Sequence, residues 1–142
     1  MEPSDVVVAY LAALNAHDPD AASALVTEDF VNEHTALGSE SLRGREQYRE
    51  RLDGFLASMA DLHYDVEDLV ADGEKVVVAY RMSARYLVDG ERRPFSIRGV
   101  FRFRVRAGQV AHRVDYRDGL DFERQVARSA DPARAGDGPP SR

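Results

Sequence analysis

The apolar residues of this chain change period near Asp61. Before that point they recur every three or four positions. After it they alternate, in four runs long enough to be strands. The runs are Leu62 to Ala71, Lys75 to Val88, Arg93 to Arg106 and Gln109 to Asp118. Between them stand Asp72-Gly73, Asp89-Gly90 and Ala107-Gly108, which suit tight hairpin turns. Four hairpin-linked strands form an antiparallel meander, and its apolar face must be covered by something.

The first half of the chain supplies the cover. Val6, Val7, Tyr10, Leu11 and Leu14 predict a helix from Asp5 to about Ala16, with Ser4 as its N-cap. His17-Asp18-Pro19 ends it, and Pro19 opens a second short helix, Asp20 to Leu25. Phe30 to His34 reads as a short strand and Gly38 to Gly44 as a loop. A third helix follows, from about Arg45 to Met59, with Tyr48, Leu52, Phe55, Leu56 and Met59 on one side. A last short helix covers Leu120 to Ala127. Residues 128–142, rich in Ala, Pro, Gly and Arg, read as a disordered tail. The expectation is one α+β domain over residues 1–127. Its curved antiparallel sheet wraps around the N-terminal helices as a cone with an internal pocket.

Composition narrows the function. With 142 residues the chain can bury one core without cross-links, and it has no cysteine for disulfides, thiolate chemistry or cysteine zinc sites. No histidine pair has a convincing ligand spacing with a carboxylate, so no metal is expected. The glycines lie in turns and make no phosphate loop, and no cofactor is expected. A net charge of −6 argues against nucleic acid. The arginine-rich stretch 81–106 is better explained by strand parity. Arg98, Arg102, Arg104 and Arg106 fall on one face, while Phe95, Ile97, Phe101 and Phe103 fall on the other. Neither a signal peptide nor a membrane segment is evident, so a soluble cytoplasmic protein is the default expectation.

The order of elements resembles the nuclear-transport-factor-like superfamily, the cystatin-cone fold. Thr27-Glu28-Asp29-Phe30, Gly44-Arg45-Glu46, Ser96-Ile97-Arg98-Gly99-Val100-Phe101 and Val114-Asp115-Tyr116-Arg117-Asp118 look like its successive landmarks. The stretch from Met59 to Val70 is similar to the SnoaL-like branch in particular. The resemblance covers about residues 5–127.

Comparison with limonene epoxide hydrolase, which uses an Asp–Arg–Asp arrangement, places the arginine at Arg81 and one aspartate at Asp115. The second aspartate falls at Ser83, and the accompanying Tyr and Asn fall at Asn32 and His34. The proton-donating carboxylate of that hydrolase is therefore missing. SnoaL-like cyclases centre on one acid/base aspartate of the last strand, and Asp115 matches it. The helix tyrosine of ketosteroid isomerase matches Tyr10, but its base falls near His34 and its oxyanion-hole aspartate at Gly99.

Strand alternation gives a constellation of its own. Asn32 shares a face with His34, Arg81 shares a face with Ser83, and Asp115 sits on the last strand. If those faces point inward, Arg81 orients Asp115, and His34 relays protons near neutral pH. The candidate catalytic residues are Asp115, His34 and Arg81. Tyr10, Asn32, Ser83, Ile97 and Phe101 are the candidate substrate contacts, and Arg113 is expected to be exposed. The resemblance implies a cofactor-independent cyclase or isomerase acting on a small hydrophobic, polyketide-like molecule. A non-catalytic ligand-binding or protein-interaction module and an epoxide-hydrolase-like enzyme are the alternatives. The resemblance also implies a homodimer, paired through the open face of the sheet.

Overall fold

The computed structural model describes residues 1–36 and 40–129, with side chains described up to residue 127. Most of the expected tail, 128–142, and part of the Gly38–Gly44 loop lie outside the described residues. Ten elements follow in chain order. They are α1 (Pro3–Asn15), α2 (Pro19–Ala24), β1 (Val26–His34), β2 (Leu42–Arg43), α3 (Arg45–Ser58), β3 (Met59–Asp72), β4 (Lys75–Val88), β5 (Glu91–Arg106), β6 (Gln109–Arg117) and α4 (Gly119–Ser129). The α+β reading holds.

Local chemistry explains the element ends. α1 starts earlier than expected because Pro3 takes its first turn and Glu2, not Ser4, is the N-cap. The Glu2 backbone N–H donates to Asp5 Oδ2 at 3.2 Å. At α2, the Asp18 carboxylate accepts from the Ala21 N–H at 3.0 Å, ahead of Pro19. The last two hairpins turn on Asp89-Gly90 and Ala107-Gly108, all four residues with positive φ. Two such residues in a row make the turn whose twist matches the strands it joins. The first hairpin turns one residue later than expected: Asp72 pairs with Lys75, so Gly73 and Glu74 form the loop.

The six strands form one sheet in the order β2-β1-β6-β5-β4-β3. Every pairing is antiparallel except β1 with β6, which is parallel. Register shifts in β3, between Ala60 and His63 and between Val66 and Asp68, mark irregularities of the kind that bend a strand. The concave face closes on α1 through Val6, Val7, Tyr10, Leu11 and Leu14, and on α3 through Tyr48, Leu52 and Leu56. The end of α1 is tied to the sheet by Asn15, whose side-chain amide bonds both the Tyr64 carbonyl (3.1 Å) and the Tyr64 N–H (2.7 Å).

On β5, Phe95, Ile97, Phe101, Phe103 and Val105 are buried, while Arg98, Arg102, Arg104 and Arg106 are exposed. The alternation is as expected. α4 caps one end of β5, where Gln125 bonds the Ser96 backbone at N–H (2.8 Å) and carbonyl (2.9 Å). Phe122 packs edge-on against Phe95 and Tyr86. Among the described residues no helix is long and apolar enough to cross a membrane.

Candidate functional site

The parallel pairing of β1 with β6 builds the site. Its register sets Asn32 beside Arg113 and His34 beside Asp115. Arg113, Asp115 and Arg117 recur every second residue on β6 and all line one cavity of about 450 Å³. Leu14, Leu42, Leu52, Phe55 and Tyr64 give that cavity an apolar wall. This size and lining suit a small organic ligand.

Asp115 is 3% exposed. The Tyr80 hydroxyl donates to its Oδ1 at 2.5 Å, and His34 Nδ1 stands 3.8 Å from its Oδ2. The second distance is too long for a hydrogen bond. The Asp115 backbone is also fixed, because Thr35 donates to its carbonyl through both N–H (3.2 Å) and Oγ1 (3.0 Å). Tyr80 reaches the carboxylate across Gly99 of β5. A Cβ built on Gly99 would meet the Tyr80 hydroxyl and would lie 2.8 Å from the Tyr116 carbonyl oxygen. Only glycine leaves room for that approach.

Arg113 is 7% exposed and forms a second cluster. Its Nε donates to Asn32 Oδ1 at 2.9 Å, and its Nη1 donates to the Tyr10 hydroxyl at 3.1 Å. That hydroxyl in turn hydrogen-bonds to the Tyr48 hydroxyl. The guanidinium lies over the Phe101 ring, 4.9 Å from its centroid. Burial is the main cause that pushes Tyr10, Tyr48, Tyr64 and Tyr80 above the ordinary phenol range. All four therefore keep their protons at neutral pH.

His34 differs from the expectation. Burial first, and the Arg113 charge second, lower its pKa to about 4 against the pull of Asp115, with Arg117 adding to the lowering. At neutral pH it is an uncharged imidazole beside the carboxylate, not a group at its titration midpoint. An unfolded histidine titrates at about 6.5, so on acidification the unfolded chain takes up this proton first. The contribution is whole above that pH and is lost as pH falls toward 4. His34→Gln should remove on the order of 2 kcal/mol of acid destabilisation at pH 4, discounted because the ring is partly exposed. Melting temperatures of both proteins across pH 4 to 7 check this, and parallel curves would contradict it.

The structure does not bring Arg81 or Ser83 to Asp115. On β4 the buried residues are Val76, Val78, Tyr80, Met82 and Ala84, so Arg81 and Ser83 point to the outer face. There Arg81 donates to Ser96 Oγ at 3.0 Å and lies 3.9 Å from Glu67. The side chain that reaches Asp115 from β4 is instead Tyr80, its neighbour on the inner face. Ile97 and Phe101 are core residues rather than cavity wall, although Phe101 supports both Tyr80 and Arg113. Tyr10 and Asn32 meet Arg113 rather than the carboxylate. Asn32 also lines the cavity.

The expectation of an exposed Arg113 is corrected, since β1 and α1 cover it. Sequence reasoning also missed Tyr80, Tyr64 and Tyr48. The signal for Tyr80 was present, because Tyr80 and Met82 mark the apolar parity of β4. Of the other histidines, His63 lies 3.1 Å from Asp65 and His112 lies 3.0 Å from Glu33, both away from the cavity.

Known proteins resemble this arrangement mainly in fold. A hypothetical protein from Catenulispora acidiphila, described as having a ketosteroid isomerase-like fold and solved with trimethylamine, superimposes with a TM-score of 0.77. The two share 21% identity over 89% of this chain and 95% of that one. A candidate SnoaL-like polyketide cyclase from Shewanella denitrificans gives 0.81 at 17% identity, over 88% and 96%. A candidate polyketide cyclase from Xanthomonas campestris gives 0.74 at 25% identity, over 87% and 96%. No curated protein matches. The family model of the SnoaL-like domain matches residues 7–113, from α1 to the arginine of the buried cluster, and the chain belongs to that family.

Proposed function

We infer that the protein is a cofactor-independent enzyme that moves a proton next to a carbonyl of a small, largely apolar molecule, giving cyclisation or isomerisation. The observation that carries this reading is the Asp115 carboxylate. It is buried, it lines the cavity, and one of its oxygens is held by Tyr80 while the other faces uncharged His34. No arginine among the described residues is salt-bridged to it.

In the forward step Asp115 Oδ2 takes a proton from the carbon beside the carbonyl. The electron pair left on that carbon moves onto the carbonyl oxygen. The Tyr64 hydroxyl bonds to no described residue, lies in the cavity wall and keeps its proton, so it can donate to that oxygen. Asp115 then returns the proton at the new position. Candidate polyketide cyclases among the structural relatives fit such a substrate.

Deuterium uptake tests the reading. Wild-type protein in deuterated water should accelerate exchange at the α-carbon of hydrophobic ketones, with no incorporation of solvent oxygen beyond that in buffer. Oxygen-18 appearing in a ring-opened epoxide instead would favour the hydrolase alternative. A homodimer through the outer sheet face belongs to the same reading. Exposed Val66, Val70, Val77, Leu87 and Tyr116 support it. Light scattering at micromolar concentration should give twice the chain mass, and a monodisperse monomer would refute the pairing.

A further inference from the structure

The cavity carries more positive than negative charge. Arg51, Arg113 and Arg117 line it, against Glu40 and Asp115. Arg51 and Glu40 pair with each other at 3.2 Å. His34 stays uncharged at neutral pH. What remains is Asp115 against two guanidiniums, neither of which is salt-bridged to a described residue.

Arg113 is the unusual one. A buried cation ordinarily has a carboxylate partner, because leaving water is costly without one. Here both of its bonds go to neutral acceptors, Asn32 Oδ1 and the Tyr10 hydroxyl. Its Nη2 bonds to no described residue. Arg117, two residues beyond Asp115, has its guanidinium carbon 5.9 Å from the centroid of the Phe122 ring. Two donors of planar, bidentate geometry thus flank the carboxylate along one strand face.

We propose that the substrate is itself an anion, a small monocarboxylate whose acid group is held by the free edge of Arg113, with Arg117 adding its charge at the same wall. The proposal rests on the proton-transfer reading for where the chemistry occurs, and it adds what the substrate must carry. Arg113 and Asp115 are two residues apart on β6, about 7 Å along the strand. The acid group and the reacting C–H therefore sit at opposite ends of the molecule, with the apolar wall of Leu14, Leu52 and Phe55 around its middle.

Three probes of one shape test this: cyclohexanecarboxylate, cyclohexanecarboxamide and cyclohexylmethylamine, titrated calorimetrically into the protein at pH 7. Wild type should bind the carboxylate at least tenfold more tightly than the amide, and the amine most weakly. Arg117→Gln, a change at a half-buried lining residue, should reduce the preference several-fold. Arg113→Met should abolish it while the amide still binds, and Arg113→Lys should keep part of it, which separates lost charge from lost folding. Equal affinity for carboxylate and amide in wild type would overturn the proposal. So would a preference that survives both Arg113→Met and Arg117→Gln, or failure of all three probes to bind.

Asp115→Asn separates the two readings. It should tighten carboxylate binding, because a like charge is gone, even as it slows proton exchange. Exchange that persisted in this variant while the carboxylate preference held would sink the catalytic reading alone.

Discussion

Asparagine in place of Asp115 should slow α-proton exchange by about 10²–10⁴-fold, the span that a positioned general base supplies. The side chain keeps its shape, and its amide oxygen can still accept from Tyr80, so the melting temperature should stay close to wild type. Affinity for a neutral ketone should change no more than a few-fold, since the variant removes a proton acceptor and not a wall. A loss in rate without a loss in binding is the mark of a group that acts in the transition state. Measuring exchange and affinity on the same ketone settles the matter. An unchanged rate would place the base elsewhere, and loss of both rate and binding would indicate a collapsed pocket. If wild type itself gave no exchange above buffer, the cone would read as a binding module.

Alanine in place of Gly99 is expected to injure fold and site together. The added methyl group meets the Tyr80 hydroxyl, which a side chain could yield, and the Tyr116 carbonyl, which the paired backbone cannot. Overpacking of this kind costs about 1–3 kcal/mol. The Tyr80 bond to Asp115 should be the first thing lost, because rotating the phenol away is the cheapest relief. The carboxylate would then be free to turn, and exchange should fall at least tenfold even at temperatures where the variant is folded. Tyr80→Phe tests the coupling. Removing the hydroxyl alone should cost on the order of 1 kcal/mol. In the double variant part of the clash is gone, so the two losses should not add. Additive losses by chemical denaturation would mean that the glycine serves the backbone only.

The fold was legible because the chain changes period sharply and because its hairpin turns are chemically specific. Asp89-Gly90 and Ala107-Gly108 fix the register of β4, β5 and β6, and with it the parity of every arginine on β5. The site was legible only in part. Asp115, His34, Asn32 and Tyr10 are where their strand or helix face puts them. Arg81 was expected on the inner face and lies on the outer one, and the reason is local. Val76, Val77, Val78 and Ala79 leave both faces of β4 apolar, so the resemblance to the hydrolase decided a parity that Tyr80 and Met82 contradict.

Arg113 shares the parity of Asp115, yet nothing in a sequence announces a buried guanidinium whose partners are Asn32 and Tyr10, from remote segments. Gly99 was visible as a lone glycine within an alternating strand, a sign of close approach. What approaches it is tertiary information.

The parallel pairing of β1 with β6 has a consequence for how the protein is made. Asn32 and Arg113 are 81 residues apart, and Tyr10 and Arg113 are 103 apart. The hairpins between β3 and β6 close over two-residue loops, whereas the cavity closes over most of the chain. Contacts of such separation are the slow ones in folding, since the loop must be ordered before the contact rewards it. A chain emerging from the ribosome has its first three helices and first two hairpins in hand while Arg113, Asp115 and Arg117 of β6 are still unsynthesised. Until β6 lies beside β1 the molecule has a half-built cone and an open cavity, so the pocket closes in one late event rather than by degrees.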